Sequence, residues 1–262
     1  MTTATRPLAL VTGASSGIGR ELADQFASHG HDLLVASEDA VGLSTAAHRL
    51  GGHGHQVTEV VGDLRTADGV EALAAAVTTA GRPLDALVLD AGIGQGGAFL
   101  DQELSDVLSI VDLNVRSTVH LARLLLPAMV QRGQGRVLVL SSIASTVPGS
   151  YQAVYNASKS FVQSWTEALQ SELADTGVTL TSLMPGPVET DFFHRADMDD
   201  TPVGQQSKDD PADVAAEGYA ALMAGKKKVF SESLSTKVMG TVAGLVPDGV
   251  KAALHKQISK PR

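Results

Sequence analysis

LALVTGASSGIG, residues 8–19, reads as a strand that runs into a tight turn and opens a helix. Leu8 to Val11 is a short apolar run of strand type, and a helical pattern continues through Leu22, Phe26 and Ala27 to Gly30, placed as a C-cap. The missing Cβ at Gly13, Gly17 and Gly19 permits a tight turn, close approach of a pyrophosphate and close packing of helix on strand. The N–H groups that open the helix, beginning near Ile18, then face the anion, and Ser15 and Ser16 add hydroxyl donors. The spacing is G-x-x-x-G-x-G, not the commoner G-x-G-x-x-G.

Outward from this unit the pattern alternates. Residues 32–36 read as a second strand, 40–50 as a helix, 56–61 as a strand, 66–80 as a helix and 84–89 as a fourth strand. A long helix is expected over 103–131, bent or ended by Pro127, followed by a strand at 136–141 and a helix striped by Phe161, Trp165, Ala168, Leu169 and Leu173. Gly177 is expected to cap that helix before a strand at 178–184, with a helix at 211–224 and a last strand at 229–231. Strands separated by helices of this length imply right-handed crossovers and an α/β, Rossmann-type, doubly wound parallel sheet, with the ligand crevice at the carboxyl ends of its strands. No linker divides the 262 residues, so one domain is expected over 1–262, with a substrate loop at about 186–210 and an amphipathic tail over 234–258.

Composition removes several function classes. The chain has no cysteine, so disulfides and thiolate metal sites are excluded. The eight histidines form no ligand pattern, His53-Gly54-His55 reading as a solvated loop, and no metal is expected. A net charge of −9 repels nucleic acid and anionic membranes. The first residues lack an apolar targeting segment and no apolar run is long enough to span a bilayer, so a cytoplasmic protein is expected.

Chemistry concentrates in SSIASTVPGSYQAVYNASK, residues 141–159. Tyr155 and Lys159 stand four apart and leave one helix face, so an ammonium can lie beside a phenol. A cation there would favour phenolate and let Tyr155 exchange a proton near neutral pH, and Ser142 could hold the same oxygen. By itself this spacing is commonly accidental, with the Tyr packed and the Lys solvated. Its company gives it weight. Asp63 follows the third strand and could accept from an adenine amino group, or instead cap the next helix. Asp90-Ala91-Gly92 follows the fourth strand, Asn114 lies inside the long helix, and Pro185-Gly186 follows the sixth strand.

Together, Thr12-Gly13-x-x-x-Gly17-Ile18-Gly19, Asp63, Ala91-Gly92, Asn114, Ser142, Tyr155-x-x-x-Lys159 and Pro185-Gly186-x-x-x-Thr190 resemble the short-chain dehydrogenase/reductase family over about residues 6–192. The resemblance implies an NAD(P)-dependent oxidoreductase that interconverts a secondary alcohol and a ketone. It implies Tyr155 as general acid/base, Lys159 lowering the phenol's pKa and holding the nicotinamide ribose, and Ser142 orienting the substrate oxygen. Asn114 would hold a water in a relay to Lys159, and Thr190 with the backbone at Val188 would anchor the carboxamide. Ser37, Glu38, Leu64 and Asp90 complete the expected cofactor contacts. The substrate is expected to be a small, apolar ketone or alcohol, with Ile143, Val147, Tyr151, Phe192 and Phe193 as candidate walls. A homodimer or homotetramer is expected from apolar helices in excess of one sheet face. A catalytically idle dinucleotide-binding regulator, or a lyase or epimerase using the same site, are the alternatives.

The chain departs from the family pattern twice. Leu89-Asp90-Ala91-Gly92 stands where Asn-Asn-Ala-Gly is common, and an ionised Asp90 can accept but not donate. After the second strand, Ala36-Ser37-Glu38-Asp39 carries neither the usual Asp marker for NAD nor the Arg marker for NADP. Glu38 and Asp39 would repel a 2′-phosphate, so the expectation leans to NAD(H) over NADP(H).

Overall fold

The computed structural model describes residues 6–52, 54–231 and 247–260. Seven parallel strands form one sheet: β1 (Leu8–Thr12), β2 (Asp32–Ser37), β3 (Val57–Val61), β4 (Ala86–Leu89), β5 (Gly135–Leu140), β6 (Val178–Met184) and β7 (Lys228–Phe230). Their order is β3-β2-β1-β4-β5-β6-β7, so the winding reverses between β1 and β4. Doubly wound sheets open a crevice at that reversal, beyond the carboxyl ends.

Alternation along each strand builds two apolar layers. Leu8 and Leu10 of β1, Leu34 of β2, Leu87 and Leu89 of β4, and Val137 and Val139 of β5 face one side. There they meet α3 (Ala67–Thr79), α5 (Thr118–Arg132) and α6 (Ala153–Glu172). Their neighbours Ala9, Val11, Leu33, Val35, Val88 and Leu138 face the other side, against α1 (Gly17–Ser28), α2 (Ala40–Gly51) and α9 (Pro211–Met223). A fully buried leucine such as Leu10 contributes roughly 1.5–3 kcal/mol relative to exposure.

Two sequence expectations about helices are corrected. The long helix is not stopped by Pro127, which lies inside α5; it breaks at a wider π-turn over Asp112–Ser117, between α4 (Leu104–Val111) and α5. The break surrounds Asn114, whose side chain leaves the helix for Ile93, while the Thr118 hydroxyl donates to the Asn114 carbonyl at 2.9 Å. Gly177 does not cap α6, which ends at Glu172; with φ of 77° it turns the chain into β6, where a Cβ would strike the Gly133 carbonyl. After β6, two short helices, α7 (Phe192–Arg195) and α8 (Pro202–Gln205), precede α9, and α10 (Asp248–Ser259) follows β7. The expected tail over 234–258 otherwise lies outside the described residues, as does His53.

Candidate active site

At the carboxyl ends of the strands lies a cavity of about 760 Å³. Its floor at one end is the turn from β1 into α1. Gly13 and Gly17 hold φ of 71° and 57°, a region that strains any residue with a Cβ. At Gly19 a Cβ would meet the Gly13 carbonyl and lie 2.5 Å from Asp90 Oδ2. Ser16 precedes α1 without capping it through its side chain; the Gly19 N–H goes to Asp90, while Gly17 and Ile18, which open the helix, line the cavity. Ser15, Ser16, Ile18, Ser37, Glu38, Asp63, Leu64, Ala91, Gly92, Pro185, Gly186, Val188 and Thr190 also line the cavity.

The Asp63 carboxylate accepts from the backbone N–H and Nε of Arg65, both at 2.9 Å, while the next helix is capped by the Thr66 hydroxyl, which accepts from Gly69 N. The same guanidinium pairs with Glu38. Glu38 therefore does not present an unpaired negative charge to this end of the cavity, and the repulsion expected of it is partly offset. Arg65 was invisible as a partner because 27 residues separate it from Glu38.

Three side chains converge at the other end. Ser142, the residue after the β5 exit, accepts from Ala144 N at 3.1 Å. Tyr155 and Lys159 leave the first turns of α6, with Lys159 Nζ 5.9 Å from the Tyr155 ring centroid. Burial pushes the Tyr155 phenol up to about 12, and its hydrogen bond with Ser142 only partly opposes that. Lys159, expected to lower the phenol's pKa, is not among the groups that set this shift. The ammonium points elsewhere: it donates to the Leu140 carbonyl at 2.8 Å and feels the Asp90 carboxylate.

Asp90 is buried with Lys159. Burial drives its carboxyl up to about 7 against the pull of Lys159 and a hydrogen bond from Gly19 N; Lys159 is driven down by burial to about 8 against the pull of Asp90. Thr12 fixes Asp90 from below, its hydroxyl oxygen accepting from Asp90 N at 3.0 Å and Ala91 N at 3.1 Å.

Asn114 faces inward and is 2% exposed. Its Nδ2 donates to the Ile93 carbonyl at 2.9 Å and to the Ser158 hydroxyl at 3.0 Å, and its Oδ1 accepts from Ile93 N at 2.9 Å. Both carboxamide protons are thus spent on the strand-four loop and α6, and only acceptor lone pairs remain for a water.

The outer wall is apolar. Ile143, Val147, Phe192 and Phe193 line the cavity as expected, while Tyr151 does not. The Phe192 ring packs 5.2 Å from that of Tyr155, tilted by 50°. Arg195 of α7 reaches across to Ser16, Nη1 to Oγ 3.5 Å. The sequence reading missed α10 altogether as part of the site. Lys251, Leu254, His255, Gln257 and Ile258 close one side of the cavity. The helix is tied to the start of α6: Ser150 Oγ donates to the Ala252 carbonyl at 3.2 Å, His255 Nδ1 lies 3.1 Å from the Ser150 carbonyl, and Ser259 Oγ donates to Gln152 Oε1 at 3.3 Å. Among the described residues no group of His, Asp and Glu could hold a metal, and no helix is long and apolar enough to cross a membrane.

A family profile described as short chain dehydrogenase matches residues 7–201. The chain belongs to the short-chain dehydrogenase family. Within it, the chain is similar to the ketoacyl reductase HetN of a Nostoc species, 33% identical over 188 residues, covering 72% of this chain and 66% of that one, a little under two thirds. It is also similar to the oxidoreductase UcpA of Salmonella typhimurium, 34% identical over 218 residues and covering 82% and 79% of the two chains. Among solved structures, a short-chain dehydrogenase from Sphingobium yanoikuyae in complex with NADPH superposes with a TM-score of 0.83 at 26% identity, covering 98% of each chain. Family membership makes the chain a short-chain dehydrogenase-type oxidoreductase, and the Sphingobium structure holds the dinucleotide NADPH. The glycine turn, the uncapped helix N-terminus and the long cavity fit such a cofactor.

Proposed function

We propose that this oxidoreductase reduces an apolar ketone to a secondary alcohol, with Tyr155 as proton donor. The observation that carries the reading is the meeting of Ser142, Tyr155 and Lys159 in one cavity with the apolar side chains of Ile143, Val147, Phe192 and Phe193. When bound, the nicotinamide supplies the hydride. The chain supplies the rest. The uncapped start of α1 and Ser15 and Ser16 would hold the pyrophosphate, Asp63 and Leu64 the adenine, Lys159 the nicotinamide ribose, and Val188 and Thr190 the carboxamide. Ser142 orients the ketone oxygen toward the Tyr155 hydroxyl. A phenol pushed up to about 12 keeps its proton through the neutral range, which suits donation to a developing alkoxide. Phe192 and α10 exclude water from the reacting carbon. We take residues 1–262 as one unit acting in the cytoplasm, with 186–210 as its substrate lid.

The test is nicotinamide oxidation followed at 340 nm against a panel of apolar ketones with each cofactor. Turnover is expected; tight dinucleotide binding with no turnover on any ketone or alcohol would favour an idle binder.

Cofactor choice turns on Arg65 as much as on Glu38. Arg65 offsets one of the two carboxylates it pairs with, Glu38 and Asp63, so the cluster keeps a net negative charge and NADH is expected to be preferred. Arg65→Ala leaves Glu38 unpaired and should lower kcat/KM with NADPH relative to NADH by about tenfold, the equivalent of roughly 1.4 kcal/mol. Glu38→Gln should move the ratio the other way. Ratios unchanged in both variants would mean that neither side chain faces the 2′ position.

Leu104 and Leu108 of α4, Leu124 of α5 and Phe161 of α6 are exposed. Such a face suits burial against a second copy of the chain across a two-fold axis. Light scattering at micromolar concentration should give a dimer or tetramer, and Phe161→Glu should shift it to smaller species. A wild-type monomer would refute this.

A further inference from the structure

We propose that Arg195 binds the diphosphate of the dinucleotide from the substrate loop, and in doing so holds Phe192 against Tyr155. The assignment rests on the dinucleotide placement proposed above. It brings to the phosphate end of the cavity a cation from α7, far in sequence from the glycine turn.

The sequence puts two kinds of chemistry on one short turn. Phe192 and Arg195 stand three apart in Phe192-Phe193-His194-Arg195, so their side chains leave the same side of α7, and both line the cavity. Phe193 packs with Ala196 and Met198 in a small apolar cluster separate from the two layers on the sheet. Gly96 N donates to the Ala196 carbonyl at 2.7 Å, and Gln152 Nε2 lies 3.0 Å from Met198 Sδ, which ties the cluster to the β4 loop and to the start of α6. With its own core beneath it, α7 is held as one piece, and what fixes Arg195 also fixes Phe192.

The two residues reach different parts of the cavity. Phe192 lies against the Tyr155 ring, whereas Arg195 Nη1 donates to Ser16 Oγ at 3.5 Å. Ser16 immediately precedes Gly17 and Ile18 of α1, and Thr190 closes on the same turn, its Cγ2 3.2 Å from where a Cβ would stand on Gly17. The contact lies at the phosphate turn: the neighbouring Ser15 hydroxyl is instead engaged by Ser37 at the end of β2, at 2.9 Å. Arg195 is exposed, and among the described residues its guanidinium makes this one hydrogen bond and no ion pair. Asp199 is taken by His194, and the lysines that line the cavity are engaged elsewhere, Lys159 with the Leu140 carbonyl and Lys251 with Asp248. Most donors of the planar Arg195 fork are therefore left over, and that fork matches the oxygens of a phosphate. In a chain of net charge −9, an unpaired cation beside an anion-facing turn favours a phosphate there by Coulomb attraction.

The first arm of the test measures Kd for NADH and NADPH through nicotinamide fluorescence in wild type, Arg195→Lys and Arg195→Gln. Arg195→Gln should weaken both dinucleotides about tenfold and Arg195→Lys less, with a shallower dependence of Kd on salt once the cation is gone. Unchanged constants would overturn the proposal, and so would a loss confined to NADPH, which would put Arg195 at the 2′-phosphate. The second arm needs no turnover and reads the loop itself, as chymotryptic cleavage within residues 186–210 followed by mass spectrometry. Saturating NADH should slow cleavage in wild type and much less in Arg195→Gln. Equal protection in both would overturn the hold on Phe192. Failure of the wild type to bind either dinucleotide would sink the cofactor placement and this assignment together, whereas wild-type binding left intact in Arg195→Gln would sink the assignment alone.

Discussion

Tyr155→Phe is expected to lower kcat at least about 100-fold while leaving the dinucleotide dissociation constant within a factor of about two. General acid catalysis is worth roughly 10²–10⁴-fold, and the substitution removes only the transferable proton. The ring stays, with its packing against Phe192. Ser142 loses one partner but keeps Ala144 N as a donor and the Pro185 carbonyl, at 3.5 Å, as an acceptor, so no buried hydroxyl is orphaned. Kd from nicotinamide fluorescence and kcat from absorbance at 340 nm separate the two effects. A variant that keeps more than about a hundredth of the wild-type rate would dismiss Tyr155 as the acid.

Lys159→Ala should be as damaging, and in two currents that can be read apart. Losing the ammonium should cut kcat/KM by at least about 100-fold and abolish the alkaline limb near the pH where Lys159 titrates. It also removes the cation whose pull partly offsets the burial of the Asp90 carboxylate, so some stability should be lost as well. The sign with pH follows from the direction of the Asp90 shift. Its folded-state pKa lies above the unfolded value, so the protonated acid is the form the folded protein tolerates, and the cost grows as pH rises. Urea denaturation at about pH 6 and pH 8 should show the smaller loss at the lower pH. Adding Asp90→Asn should return most of the stability and none of the activity. Equal losses at both pH values would mean the two side chains do not share a charge.

The fold was legible wherever local chemistry decides conformation. The turn from Leu8 to Gly19 marks a strand, an anion-facing turn and a helix within a dozen residues, and Val178 to Met184 is strand from end to end. Tyr155 and Lys159 could be paired because helical spacing alone puts them on one face. The misses share a cause. The break at Asn114 depends on the backbone of Ile93, 21 residues away, and the pairing of Glu38 depends on Arg65. Helical spacing also could not show that Lys159 Nζ donates to the Leu140 carbonyl, 19 residues away. The terminal helix α10 carries no motif, and only tertiary packing brings Leu254 and Ile258 to the cavity.

That helix has a practical meaning. The wall it forms follows β7 in the chain, whereas Ser142 follows β5 and Tyr155 and Lys159 lie on α6. Ser150 and His255 clip the two parts together. Leu254 and Ile258 can therefore be randomised as a library for new substrates without touching Ser142, Tyr155 or Lys159.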